Sequence, residues 1–360
     1  TWTFTQTSGN VTGCSNNTGF PGTFLNQTLL LSGVVKDSVI YHIFPHANGC
    51  DGPGFDYKVY VSPAPLLTNT PMNDTICSAT ITDVNLTASV TGTTFSWTGA
   101  PGTGNITGFG SGIGPHIAET LTNNTNTTGS VLYTVTPTAG ICTGRDTIFT
   151  MFVYPKPHLT NFPLADSICA NSAIVIPLTS DVAGSVFSWT ATPSSPAVTG
   201  YSNGSGLTIN QSLTNSVPGM ETVTYHIVPR ANGCDGDSYT YVVTVKPTPH
   251  LMNASPGPIC SGTIFNVVLQ PDVTGGDFTW TASCSPMGSV NGYTALQPVN
   301  VTSINDLHDN TGNVVATVTY LITPYANSCP GPPTPLSVNV NPTPIISTTP
   351  PAQAICSGTP

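Results

Sequence analysis

Short stretches in which apolar and polar residues alternate run through the whole chain, each closed by Gly, Pro or Asn. Val131-Leu132-Tyr133-Thr134-Val135, Val223-Thr224-Tyr225-His226-Ile227 and Tyr241-Val242-Val243-Thr244-Val245 are representative. A period of two sends one face of each stretch into a core and leaves the other in water. β-branched and aromatic side chains suit that half-buried, pleated surface. No apolar period of 3.6 residues persists beyond about two turns, so helices are not expected.

The strand pattern itself recurs. Trp2, Trp97, Trp189 and Trp280 follow one another at intervals of 95, 92 and 91. Cys50, Cys142, Cys234 and Cys329 follow at 92, 92 and 95, and Cys77, Cys169, Cys260 and Cys356 at 92, 91 and 96. Three independent markers thus share one period of about 92 residues, which is the mark of a tandem array.

Each unit opens on Ile-Cys, as in Ile76-Cys77 and Ile168-Cys169, and passes through an apolar stretch such as Ile174-Val175-Ile176. Phe-x-Trp-Thr follows (Phe187 to Thr190), then a Gly-containing turn (Thr199-Gly200) and a strand bearing a tyrosine. Next come a turn with cysteine, Ala231-Asn232-Gly233-Cys234, a last strand, and a closing Pro-x-Pro. Some seven short strands at this spacing predict an immunoglobulin-like β-sandwich. The segments Pro63 to Pro65, Pro155 to Pro157, Pro247 to Pro249 and Pro342 to Pro344 end the last strands and stiffen the joints. The expected layout is a partial sandwich over residues 1–65, three full ones over 66–158, 159–250 and 251–345, and the start of another over 346–360.

The run Thr-Tyr-x-Ile/Val-x-Pro-x-Ala-Asn-Gly-Cys-x-Gly, with Val-x-Val-x-Pro-x-Pro and Ile-Cys-Ser-Gly-Thr after it, resembles the PKD-like/Ig-like tandem repeats of Bacteroidota surface proteins. The resemblance covers essentially the whole chain. It implies export by the type IX system and a role as an adhesin, gliding-associated protein or surface fibre.

Ten cysteines at regular spacing, without CxxC metal pairs, predict disulfides formed in an oxidising compartment. The near-equal separations within each full unit (77 to 142, 169 to 234, 260 to 329) suggest Cys77–Cys142, Cys169–Cys234 and Cys260–Cys329. Each would staple one sandwich with about 4 kcal/mol, against a total domain stability of about 5–15 kcal/mol. Cys50 then takes a partner upstream of residue 1, and Cys356 one downstream of residue 360. The first Cys precedes Trp by the same interval in every full unit (77 to 97, 169 to 189, 260 to 280). Joining residue 360 to residue 1 would bring Cys356 far closer to Trp2 than that. The mismatch favours a window on a longer chain over successive copies complementing one another, in which Cys356 would bond Cys50 of the next copy through an added strand. Cys14 stands where other units place Phe109, Tyr201 and Tyr293, and Cys284 follows Trp280. As the odd thiols of their units, both are candidates for links between domains or chains.

Composition narrows the function. Charged residues are 6%, only six of them Lys or Arg, and the net charge is −10. Nothing basic is available to neutralise phosphates, so nucleic acid is excluded as a partner, and no apolar run is long enough for a membrane helix. No metal-ligand His pair or nucleophile elbow is present, and no catalytic or cofactor site is expected. His158 and His250 follow the Pro-x-Pro linkers and suggest joint contacts. Calcium is the better metal candidate, at Asp51 or at Asp235 with Asp237, yet those turns offer one or two acids where six to eight oxygens are needed. The tryptophans are expected to pack on the disulfides in the cores. Tyr41, Tyr133, Tyr225 and Tyr320, each nine residues before the second Cys, should be buried with bonded hydroxyls.

A surface so poor in charge draws some solubility from hydroxyls and amides, and glycans would supply more. Asp-Ser/Thr-apolar signals, implied by the resemblance, mark Ser38, Thr75, Thr147 and Ser167. There are twelve Asn-x-Ser/Thr acceptors; Asn123 is one, and Asn26, Asn210 and Asn300 share one repeat position. The reading is a stiff, secreted, glycosylated stalk or filament whose partners are its own copies or adjacent repeats. A module that binds cell-surface glycans, or a segment of a large secreted enzyme, is the alternative.

Overall fold

The structure, a computed structural model, describes residues 1–19, 24–346, 348, 351 and 357–358. All regular structure among them is strand, and the fold is all-β: tandem immunoglobulin-like sandwiches repeating at about 90 residues. The chain divides into two compact units. One comprises Thr1–Leu159, Ser180–Val186 and Pro229–Asp237; the other comprises Thr160–Thr179, Phe187–Val228 and Ser238–Pro360.

In the first unit a full sandwich lies between Asn73 and Tyr154. Its larger sheet has the order Ser111–Ile113, Thr94–Pro101, Gly129–Ala139, Thr147–Tyr154, Asn73–Cys77, with Cys142–Thr143 paired to Gly129–Ala139. Neighbours are antiparallel except at one edge: Asn73–Cys77 runs parallel to Thr147–Tyr154, with Cys77 opposite Tyr154. The smaller sheet joins Ile106–Thr107, Thr120–Asn123 and Thr80–Ile81. Alternate residues fill the space between: Phe95 and Trp97, Val131, Tyr133 and Val135, and Phe149, Met151 and Val153, capped by Leu121 from the facing sheet. The period of two is thus the core-facing period.

The same unit holds a smaller sheet of Trp2–Gln6, Asp37–Ile43 and Phe55–Val61 over a core of Trp2, Val11, Val39 and Tyr41. Among the described residues, Phe55–Val61 is paired on one side only.

The second unit repeats the plan. Ala165–Cys169 runs parallel to Tyr239–Lys246 with Cys169 opposite Lys246, and Ile259–Cys260 runs parallel to Thr334–Asn341 with Cys260 opposite Asn341. Smaller sheets pair Ser172–Pro177 with Thr208–Asn215 and Thr263–Val268 with Ser303–Asn310.

A recurring set of buried polar bonds fixes each sandwich. The four repeat tyrosines are fully buried, as their position suggested. Each hydroxyl donates to an acceptor 14 residues upstream: Gln27 at 2.7 Å, Glu119 at 2.6 Å, Gln211 at 2.7 Å and Asp306 at 2.6 Å. Trp2, Trp189 and Trp280 donate from Nε1 to the carbonyls of Ser15, Ser202 and Thr294. Asn123, Asn215 and Asn310 each donate Nδ2 to two carbonyls, one of them on the last strand: Val153, Val245 and Val340. A buried donor or acceptor left alone costs more than a hydrogen bond gains, so these groups dictate how the sheets meet.

Candidate functional site at the repeat junctions

The element that recurs most faithfully outside the cores is the joint between consecutive repeats, and it starts from a two-residue hairpin. Asn232 (φ 52°) and Gly233 (φ 81°) are left-handed, and so are Asn48 (51°) with Gly49 (81°) and Asn327 (52°) with Ser328 (68°). Two successive left-handed residues make the tight turn that suits twisted strands. It pairs Ala231 with Cys234 and Ala326 with Cys329, so the cysteine is the first residue of the returning strand.

Two residues on stands a glycine with one task. A Cβ at Gly144, Gly236 or Gly331 would overlap the carbonyl oxygen of Pro65, Pro157 or Pro249 respectively. Each is the last proline of a Pro-x-Pro linker. The same glycines donate their N–H to Pro137 at 2.8 Å, Pro229 at 2.8 Å and Pro324 at 2.7 Å. The linker therefore ends locked against the hairpin of the repeat it introduces.

The next residue adds a hydrogen-bonded clasp. His158 donates its N–H to Asp181 Oδ1 at 2.7 Å and brings Nδ1 to 3.0 Å from Oδ2; His250 and Asp272 match both distances. Burial pushes the Asp181 carboxyl up, but the hydrogen bonds from the His158 backbone and ring outweigh it and hold the pKa below the usual range. The joint contacts suggested for both histidines are thus present. Their aspartates, 23 and 22 residues downstream, were not singled out from the sequence; the glycines were visible there only as the last letter of the Cys-x-Gly motif.

The disulfides cross these joints. Cys77 is bonded to Cys234 and Cys169 to Cys329, with Cα atoms 5.6 Å apart in both. The first-strand cysteine of one repeat reaches the hairpin cysteine of the next. The pairs Cys77–Cys142, Cys169–Cys234 and Cys260–Cys329 are therefore overturned; Cys142 and Cys260 carry free thiols. The reason is the direction of the first strand. Because it runs parallel to the last strand, Cys77 lies opposite Tyr154 at that strand's far end, whereas Cys142 precedes its near end. An eight-residue strand spans roughly 23 Å, and a disulfide tolerates no more than about 7 Å between Cα atoms.

Other expectations change with it. The tryptophans are buried, but in the sandwich cores and not on the disulfides: Trp97 lies over Gly112 and Trp189 over Gly204. Cys14 and Cys284 are free and half-buried against their own cores, unbonded within the chain. Cys50 is free and exposed, and Cys356 lies outside the described residues. Asp51 meets His46 at 2.6 Å and Asp235 meets Arg230 at 3.1 Å; among the described residues no three His, Cys, Asp or Glu gather as metal ligands.

Of the glycan candidates, Thr75 and Ser167 are exposed on the outer parallel strands, and Thr147 is half-buried at the start of a last strand. Ser38 is only 4% exposed and bonded to Thr7, which leaves no room for a sugar. Asn123 is likewise committed to its buried carbonyls. Asn26 and Asn210 are exposed and each precedes the glutamine that holds the tyrosine. Asn300 does not share that position. Asp306 holds Tyr320, so the equivalent residue is Asn305, while Asn300 lies on the separate strand Leu296–Val301. The last repeat is a few residues longer, which displaced the match.

A family model described as PKD-like domain matches residues 1–65, 74–157, 166–249 and 257–344. No curated protein matches the chain. Among solved structures, the three immunoglobulin domains I67–I69 of titin in an E-to-A variant match at 10% identity, over 78% of this chain and 99% of that one, with a TM-score of 0.37. The human desmocollin-1 ectodomain matches at 11% identity over 90% and 70%, with a TM-score of 0.28. Cadherin domains 3–6 of protocadherin gamma B2 match at 8% identity over 86% and 83%, with a TM-score of 0.30.

Proposed function

Because the chain belongs to the PKD-like domain family, matched four times in tandem, we propose that it is an extracellular load-bearing array, a surface stalk or filament component in which covalent joints pass tension between sandwiches. The observation that carries this reading is that each disulfide links two consecutive repeats. A bond within one sandwich would protect only that sandwich. A bond across the joint keeps neighbours attached when the linker is pulled or cut. Disulfides also favour an oxidising, extracytoplasmic setting, and the resemblance to Bacteroidota surface proteins supports type IX export. Glycans on Thr75 and Ser167 would hydrate a surface with few charges and shield the outer edge of the parallel strand from pairing with other chains. No catalytic step is assigned.

Stretching the chain tests the reading. With both bonds intact, the shortest covalent route from Cys77 to Cys329 passes through Cys234, back along the backbone to Cys169, and across the second bond. Only the segment from Cys169 to Cys234 then bears the load between those ends. Reduction returns about 190 residues of hidden chain to the stretched path, so the fully unfolded length in single-molecule pulling should grow by roughly 65 nm, at about 3.5 Å per residue. Equal lengths before and after reduction would rule out the covalent bypass.

A further inference from the structure

Each full sandwich carries the same asparagine clamp just before its opening strand. Asn69 donates Nδ2 to the Asn85 carbonyl at 2.8 Å and accepts the Thr87 N–H at 3.0 Å. Asn161 makes the same two bonds with Pro177 at 2.6 Å and Thr179 at 2.9 Å. Asn253 makes them with Val268 at 2.9 Å and Gln270 at 2.6 Å. The clamp pins the loop, so the residue after it is displayed at one place in all three. That residue is Thr70, Phe162 or Ala254.

Two further positions vary around the same place. Opposite the repeat tyrosine, the last strand carries Phe149, Tyr241 or Leu336. Three residues before the first-strand cysteine stands Asp74, Asp166 or Gly257. Among the three full sandwiches, only that of residues 159–250 combines an exposed ring, a phenol and a carboxylate there. Phe162, Tyr241 and Asp166 line one cavity of about 280 Å³, together with Val175 and Pro177. All of these residues belong to the second unit.

The three side chains are free to act on a ligand. Phe162 is 78% exposed on its clamped loop. Tyr241 is only 7% exposed, yet its hydroxyl makes no hydrogen bond among the described residues. Burial, and after it the Asp166 carboxylate, push the phenol's pKa above its ordinary value, so the O–H remains a donor. Asp166 Oδ1 accepts the Ser167 N–H at 2.7 Å, which leaves Oδ2 open. No Lys, Arg or His is among the described residues that line the cavity.

These features specify a chemistry. An exposed ring offers its negative face to polarised C–H groups. A buried phenol and a carboxylate oxygen call for a partner that both accepts and donates, since a buried polar group left alone costs free energy. An anion would be repelled by Asp166, and an ammonium cannot accept from Tyr241. A ring with one apolar face and adjacent hydroxyls meets all three groups, and the volume suits a single such ring. We propose that the 159–250 sandwich binds a neutral pyranose, with a C–H face against Phe162 and adjacent hydroxyls on Asp166 and Tyr241. The site is independent of the joints and would let a load-bearing array hold a glycan.

Saturation-transfer difference NMR on the oxidised full chain tests this with the methyl pyranosides of glucose, galactose, mannose and fucose. Transfer to at least one sugar, strongest at the protons of one ring face, is the expected result. Two substitutions place the preceding sandwich's own residues at the same positions and so respect the fold. Phe162→Thr should weaken binding about tenfold and Tyr241→Phe about fivefold. Immobilised glycans that end in the bound sugar, against a soluble polysaccharide that carries it internally, separate a cell-surface source from a matrix one. Three results overturn the inference: no transfer to any of the four sugars, unchanged binding by both variants, or a cavity that takes tetramethylammonium in their place.

Discussion

Tyr320 donates to Asp306 and lies 2.8 Å from His308 Nε2, with Phe265 stacked on the imidazole at 5.2 Å. His308 is fully buried where the other sandwiches place Leu121 and Leu213. Burial opposes its protonation more than the Asp306 carboxylate favours it, so its pKa lies below the ordinary 6.5. The unfolded chain takes up this proton near pH 6.5 and the folded chain only at lower pH. This contribution to stability is complete above about pH 6.5 and is lost as the pH falls through the folded value. Thermal melts should show one transition, that of the His308 sandwich, moving down between pH 7.5 and 5. His308→Leu should remove that shift; an unchanged shift in the variant would assign it elsewhere. The tyrosines were legible because their spacing marks them. Their acceptors were not, since Gln27, Glu119, Gln211 and Asp306 differ in kind and only the offset of 14 residues unites them.

At the level of elements, the joint depends on the hairpin and on the glycine behind it. Ser328 occupies a left-handed position, φ 68°, that glycine fills in the hairpins of Gly49 and Gly233. Ser328→Gly should raise stability by about 1 kcal/mol, read from denaturant midpoints, because glycine adopts that backbone without steric cost. Gly331→Ala should do the opposite, since its φ is ordinary and the harm is purely the overlap with the Pro249 carbonyl. The expected signature is unpaired Cys169 and Cys329 after oxidative refolding, counted by thiol labelling; full pairing would show that this contact does not position the bond. Alternation and turn residues made the strands legible. They say nothing about whether the first strand joins its sheet parallel or antiparallel, and that direction decides which end of the sandwich receives Cys77.

Across the whole molecule, the repeat that exposed the fold also hid the pairing. When two cysteine series share one period, every pairing rule gives near-constant separations. The within-repeat separations (77 to 142, 169 to 234, 260 to 329) are no more regular than the observed 157 and 160. Spacing alone could not choose; strand direction does. Closing a loop of roughly 160 residues restricts the unfolded chain by about 5 kcal/mol on the entropic model, slightly more than a loop within one repeat, and couples two domains in doing so. The most direct measurement is the disulfide map of the natively oxidised chain, from non-reducing digestion and mass spectrometry. The expected map contains Cys77 with Cys234 and Cys169 with Cys329. Peptides joining Cys77 to Cys142 and Cys169 to Cys234 would contradict it, and with it the covalent coupling of neighbouring repeats.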